Sequence, residues 1–419
     1  MAKYLPAAQQ ADITLRFGPW PKGMNNRQPD YALPDGTLRN LVNIDVDNAG
    51  QLHRRSGHAR VYAGANCRGG FSCPLGTYFI RGADLCKLND DDTATILFSG
   101  VYGPTPTYAF FNDVVYFSDG LITKTITSAG VREWGVAVPA APVVYATGGL
   151  MPEGSYMVAV TSVDSTGAES GASALAVGVI PTETTGSLVV AGLPSASITR
   201  VYASTPNGET MFLVAELAAG VSSYTITTAE LGTGAPLVTQ QICPPPAGQI
   251  VREHAGRLYI ASDRVLWVTE PYAPGWVSLV GGFIMQADYI TVVEPVEAGV
   301  WVVSDATYFF QGAGPENFSV LTKANYGAVY GTSTKIPYTD NVVWYSPKGL
   351  ILGSGDGQMQ NLQEADVAPH DGSSGAVLLR EQDGLRQAVV SVQGATVSQL
   401  AATSFMEMEV IRKAGGLQP

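Results

Sequence analysis

The chain has 419 residues with 47 Gly and 26 Pro, and only 14% of its residues are charged, against about a quarter in an ordinary soluble domain. With 24 Lys and Arg against 36 Asp and Glu, a formal net charge of −12, it has too few long charged side chains to solvate a helical bundle or coiled coil. The 46% hydrophobic content excludes global disorder. The acidic balance also argues against a protein that grips DNA phosphates or an anionic membrane through Lys and Arg.

From the N-terminus, Met1 to Phe17 has no continuous apolar core of the kind a secretion signal needs. Leu41-Val-Asn-Ile-Asp-Val46 with the turn Asp47-Asn-Ala-Gly50, and then Gly76-Thr-Tyr-Phe-Ile-Arg81, read as strands. Four further segments share one pattern of an aromatic in an apolar strand, then Ser, a turn and a second strand. They are Asp113–Asp119, Arg257–Asp263, Gly299–Asp305 and Asn341–Ser346. Tyr116, Tyr259, Trp301 and Trp344 align at intervals of 143, 42 and 43 residues. A recurrence of roughly 40–45 residues in short strands predicts β-propeller blades. Stepping back reaches Tyr78 and Ile44, and stepping forward reaches Gln387. The expected fold is therefore all-β, a β-propeller of six to seven blades whose two chain ends combine to close the ring.

The long interval holds one period plus about 100 residues, the size of a β-sandwich domain. Pro139-Ala-Ala-Pro142 and Cys243-Pro-Pro-Pro246 bound it as stiff linkers. Inside it, Ser155–Thr161, Arg200–Ser204, Met211–Ala215 and Tyr224–Ile226 read as strands, with turns at Asp164–Gly167 and Thr205–Gly208. The Cys–Trp–Cys pattern of antibody domains is missing, so a fibronectin type III-like sandwich is the expected insert. The apolar stretch Val136–Met151, broken by Pro139, Pro142 and Gly148-Gly149, is too short for a membrane span and reads as a linker. The expected division is residues 1–140 and 243–400 for the propeller, 141–242 for the insert and 401–419 for a C-terminal tail.

Gly23-Met-Asn-Asn26, Leu33-Pro-Asp-Gly36, Asn40–Asp45 and Gly50-Gln-Leu-His-Arg-Arg55-Ser-Gly57 occur in that order near the start. They resemble the N-terminal signature of the tail nozzle proteins of short-tailed bacteriophages, also called tail-hub or packaged-DNA stabilisation proteins. Gly167–Ser173 and Arg200–Ser204 resemble that family's fibronectin-like insert, and Ala255–Ile260 its continuation. The resemblance covers nearly the whole chain and rests on turn and strand patterns. It implies a homo-oligomeric ring of six subunits in the virion, made in the host cytoplasm. Such a ring joins the portal–adaptor, meets tail fibre or spike proteins, retains packaged DNA and passes it at ejection. An acidic lumen suits passage of double-stranded DNA without tight binding.

Motifs for chemistry are sparse. His53, His58, His254 and His370 are scattered, and there is no H-E-x-x-H, G-x-S-x-G or phosphate loop. Gly353–Gly357 reads as a turn. Asp45–Gly50 fails as a calcium loop, with Ala49 and Ser56 where oxygen ligands are needed. Asn89–Asp92 reads as a solvated loop. The cysteines at 67, 73, 86 and 243 form no C-x-x-C and read as reduced thiols. No enzyme activity, cofactor, metal or membrane insertion is expected. The one basic concentration, His53, Arg54, Arg55, His58 and Arg60, supplies the candidate contacts to a neighbouring subunit or a DNA channel: Arg54, Arg55 and Arg60. The aromatics of Tyr308-Phe309-Phe310 and Trp267, Tyr272 and Trp276 read as blade core. Two other readings remain open: a glycan- or receptor-binding tail fibre or baseplate propeller, and a polysaccharide depolymerase.

Overall fold

The computed structural model describes residues 18–55, 57, 59–382, 384–394 and, as backbone, 407–411. Met1–Phe17, Ser56 and His58 lie outside the described residues. Among those described, strands account for nearly all regular structure, and the helical pieces are three short 3-10 turns. The chain is all-β.

Six antiparallel sheets follow one another along the sequence. Sheet 1 comprises Cys67–Cys73, Gly76–Arg81, Asp84–Leu88 and Ala94–Ser99. Sheet 2 comprises Thr107–Phe111, Val114–Ser118, Thr123–Thr127 and Gly130–Glu133. Sheet 3 begins Ile250–His254, Arg257–Ser262, Val265–Glu270, after which both Ala273–Ser278 and Phe283–Met285 pair with the third strand. Sheet 4 is Val292–Val296, Gly299–Val303, Thr307–Gln311 and Ser319–Ala324. Sheet 5 is Thr334–Lys335, Val342–Ser346, Gly349–Gly353 and Met359–Asn361. Sheet 6 is Ser374–Gln382, Leu385–Gln393 and Glu407–Ile411. That last strand falls inside the stretch expected to be a tail, so the boundary at 400 moves outward.

The repeat has a structural meaning. Tyr78, Tyr116, Tyr259, Trp301, Trp344 and Gln387 are each the third residue of the second strand of their sheet, and each is buried. The first strand of each sheet lies beside its successor's through most of the series, as with Thr107–Phe111, Ile250–His254 and Val292–Val296. Apolar side chains fill every joint between successive sheets. Tyr78 and Ile80 meet Val115 and Phe117 between sheets 1 and 2. Tyr116 and Trp134 meet Val251 and Ile260 between sheets 2 and 3. Tyr259 and Val268 meet Val300 and Phe310 between sheets 3 and 4. Trp301 meets Trp344 between sheets 4 and 5, with ring centroids 5.3 Å apart. Tyr345 and Leu350 meet Ala388 and Val390 between sheets 5 and 6. Trp344 thus faces back to sheet 4, and its neighbour Tyr345 faces forward. A one-residue offset turns a strand's side chains over, so the sequence alignment matches position in sheet 5 but reverses the face.

The expected blade at Ile44 is a two-stranded hairpin, Ile44–Val46 with Leu52–Arg54. Upstream, Gly23–Met24 pairs in parallel with Thr37–Leu38.

Between sheets 2 and 3 stand two further sheets. One holds Val143–Met151, Gly186–Ala191 and Ser223–Ile226; the other holds Ala176–Ile180, Gly154–Val163, Ile198–Ser204 and Met211–Leu217. They enclose a single core of Met151, Tyr156, Val158, Leu188, Val190, Val201 and Ile226. The segment read as a linker is here corrected, since Val143–Met151 is an edge strand. Its Gly148-Gly149 pair sits at a register shift between Thr147 and Met151. A Cβ on Gly149 would meet the Gly186 carbonyl at 2.5 Å, so glycine marks a bulge with close backbone approach. Ile242–Cys243 pairs with Ala273–Ser278 and so belongs to sheet 3, which ends the insert before residue 242.

Candidate functional site

Interfaces carry the structured polar chemistry of this chain, and three stand out. The first lies on neighbouring first strands. Arg252 projects from the first strand of sheet 3 and Glu294 from that of sheet 4. The guanidinium donates to Glu294 Oε1 from Nη2 at 2.9 Å and from Nε at 3.1 Å. The Ser333 hydroxyl, beside the first strand of sheet 5, donates to the same oxygen at 2.7 Å. One carboxylate, nearly all buried, thus ties three successive sheets. Burial lowers the Arg252 pKa, and the adjacent Glu294 more than offsets it, holding the value above the ordinary one.

The second joins the insert to the array. Glu169 accepts from Arg200 Nη1 at 2.6 Å, Thr161 Oγ1 at 2.6 Å and the Tyr202 hydroxyl at 2.8 Å. Its backbone carbonyl accepts from Trp276 Nε1 of sheet 3 at 2.7 Å. Arg200 also binds Glu216 at 2.8 Å, and that bond leads in raising its pKa.

The third includes one of the candidate arginines. Arg55 Nε pairs with Asp45 Oδ1 at 3.3 Å, and Asp45 Oδ2 accepts from Arg380 Nη2 of sheet 6. Arg380 Nε in turn donates to Gln387 Oε1 at 2.7 Å. Arg55 and Asp45 are both largely buried, so Arg55 serves contact within the chain. Arg60 closes its own loop, donating to the carbonyls of Tyr62 and Ala63 at 2.9 and 2.8 Å and to that of Gly64. Arg54 is exposed at the end of the hairpin. The three candidates therefore do not form one patch: one is an internal ion pair, one caps a loop and one faces solvent.

The remaining motifs resolve locally. In Asp45–Gly50, Asp47 Oδ1 accepts the backbone N–H of Ala49 at 2.9 Å and of Gln51 at 2.7 Å, a hairpin turn. Asp91 binds Thr93 in the Asn89–Asp92 loop, and Gly357 closes a turn onto the Ser354 carbonyl at 3.1 Å. Phe309 and Phe310 are core, whereas Tyr272 stands exposed at a loop tip. Among the described residues no three His, Cys, Asp or Glu side chains gather as a metal set, and no helix is long and apolar enough to cross a membrane. The Arg252–Glu294, Glu169–Arg200 and Asp45–Arg380 pairs left no local signal, because their partners lie 42, 31 and 335 residues apart.

One surface is apolar. The neighbouring edge strands Val143–Met151 and Ala176–Ile180 of the insert expose Val143, Tyr145, Val177 and Val179.

No family model matches the chain, and no curated protein matches it. Among solved structures it is similar to the extracellular domain of a hybrid two-component system of B. thetaiotaomicron, at 9% identity and a TM-score of 0.30. That match covers 79% of this chain and 38% of the other, so the chain spans well under half of it. It is also similar to BBS1N in complex with ARL6DN, at 11% identity and a TM-score of 0.30, covering 77% of this chain and 88% of the other. A third is PorZ of the type-IX secretion system of Porphyromonas gingivalis, at 11% identity and a TM-score of 0.24, covering 85% and 54%. At such scores the likeness fixes neither fold nor activity.

Proposed function

We propose that the chain is a structural component of a bacteriophage tail: a β-propeller of six sheets, with the N-terminal hairpin as a reduced seventh and a fibronectin type III-like insert. In this reading the subunits form a nozzle ring that docks to the portal–adaptor, retains packaged DNA and passes it at ejection. Its activity is mechanical, carried by interfaces between sheets and between subunits. The observation that carries the reading is the order of parts. Six sheets with equivalently placed second-strand residues run in series, and one sandwich interrupts them between the second and third. The N-terminal residues that resemble the nozzle signature add support, because Asn25 and Asn26 bind the segment before sheet 6. Asn25 Nδ2 donates to Asp366 Oδ1 at 3.0 Å, and Asn26 Oδ1 accepts from Ala368 N at 2.7 Å.

The test is electron microscopy of the purified chain mixed with a portal–adaptor assembly. A six-fold ring seated on the adaptor is expected; a monomer that ignores it overturns the reading. A DNA conduit should also bind duplex weakly across ionic strength, and tight, salt-sensitive binding would count against a passive lumen.

A second reading is favoured by the exposed Val143, Tyr145, Val177 and Val179 of the insert. An aromatic among small apolar groups suits receptor or glycan contact by a tail fibre or baseplate module. Micromolar binding on a glycan array, lost with Tyr145→Ala, would support it over the nozzle.

A further inference from the structure

We propose that the joint between the N-terminal segment, residues 18–55, and sheet 6 is a detachable strap, the one joint of the array built to part while the sheets stay folded. The inference stands on the joints themselves and does not require the nozzle reading.

Every joint from sheet 1 to sheet 6 is filled with apolar side chains. The N-terminal joint is made differently. Among the described residues, its contacts include the Asp45 carboxylate between Arg55 and Arg380, and Asn48 Nδ2 on the Gly384 carbonyl at 3.1 Å. Asn25 and Asn26 bind residues 366–368, and Arg27 Nε donates to the Val367 carbonyl at 3.0 Å. Among the described residues of 18–55, Val46 is the single buried hydrophobic side chain, and none enters the apolar clusters of the array.

Gln387 fits the same design. It occupies the third place of the second strand, where the five other sheets have Tyr or Trp. Ala388 and Val390 point into the joint with sheet 5, so Gln387 points to the opposite face of sheet 6. There its carbonyl oxygen receives Arg380, and its buried amide nitrogen has no hydrogen-bond partner. An aromatic at this place would bond the strap by burial. Gln leaves a face that water can satisfy once the strap lifts.

Parting an apolar joint exposes Trp and Tyr surface to water and is opposed in proportion to that area. Parting the strap exchanges protein hydrogen bonds for water, so the penalty is smaller. The strap is therefore expected to open locally, below the free energy of global unfolding.

Native-state hydrogen exchange on the full chain tests this. Peptides covering residues 20–54 should lose protection about a hundredfold faster than Gly299–Val303 and Val342–Ser346, while the amides of 374–393, which pair within sheet 6, keep theirs. Asp45→Asn should speed exchange in residues 20–54 about tenfold more and leave sheets 3 to 6 unchanged. Asn48→Ala, which removes the exposed hydrogen bond to the Gly384 carbonyl, gives a milder variant with the same regional signature. Equal protection of strap and central sheets, or a uniform rise everywhere on substitution, overturns the proposal.

Discussion

The joint between sheets 4 and 5 and the joint between sheet 6 and the N-terminal hairpin are, among the described residues, built from opposite materials. At the first, Trp301, Trp344, Phe309 and Ile351 interlock, and Gly353 permits it, since a Cβ there would meet Trp344 at 2.7 Å and Trp301 at 2.8 Å. At the second, Asp45, Arg55, Arg380 and Gln387 share charge and hydrogen bonds. Burial gives strength without direction. Ion pairs and amides give registration, but water competes for them when they separate. The array is thus packed through its apolar joints and meets the N-terminal hairpin through a polar one.

The strength of the apolar joints is tested most directly at Trp301. Trp301→Ala removes a fully buried side chain from the joint and is expected to cost about 3–5 kcal/mol. Thermal or denaturant unfolding reads it, and a loss under about 1 kcal/mol would mean the apolar joints do not hold the array. Next is Glu294→Gln, which keeps the shape but removes the charge facing Arg252. About 2–3 kcal/mol should be lost, because a mostly enclosed guanidinium keeps only neutral partners. Recovery in the double variant with Arg252→Met would show that the penalty is an unpaired charge. Asn25→Ala comes third. Asn25 is buried, and its side chain binds Asp366 and the backbone N–H groups of Arg27 and Gln28, so about 1–2 kcal/mol is expected. The loss should appear as local opening of residues 18–55 in hydrogen exchange more than as a lower melting temperature.

These joints also divide what was legible in the sequence from what was not. The sheets could be read because the aromatic at Tyr78, Tyr116, Tyr259, Trp301 and Trp344 marks the same place in the second strand each time. The period reached Gln387 as well, but the chemistry there depends on Arg380 and on Asp45, which is 335 residues from Arg380. No local pattern encodes such a pair. Arg55 was conspicuous as a cation, yet only the fold shows that Asp45 occupies it. Val143–Met151 was hidden for a different reason. A bulged edge strand with exposed apolar residues lacks the alternation that identifies strands, and its glycines imitate a linker.

The smallest expected effect lies at His254, at the end of the first strand of sheet 3. Burial pushes its pKa below the ordinary 6.5, Lys335 acts in the same sense, and Glu253, Asp340 and Glu297 pull against them. With the folded value lowered, the unfolded chain takes up the proton first as pH falls. Stability is therefore complete above 6.5 and declines as pH drops through that value toward the folded pKa. His254→Gln should flatten this part of the pH–stability curve while leaving the plateau at neutral pH nearly unchanged. The side chain is only half-buried and the neighbouring carboxylates oppose the shift, so the change should be smaller than for any substitution above. Because Asp340 also caps the Glu297 N–H at 2.8 Å, Asp340→Asn gives the complementary check. Losing that negative charge should lower the His254 pKa further, and proton titration of His254 by NMR should move down; an upward movement would show that Asp340 does not pull against burial at this site.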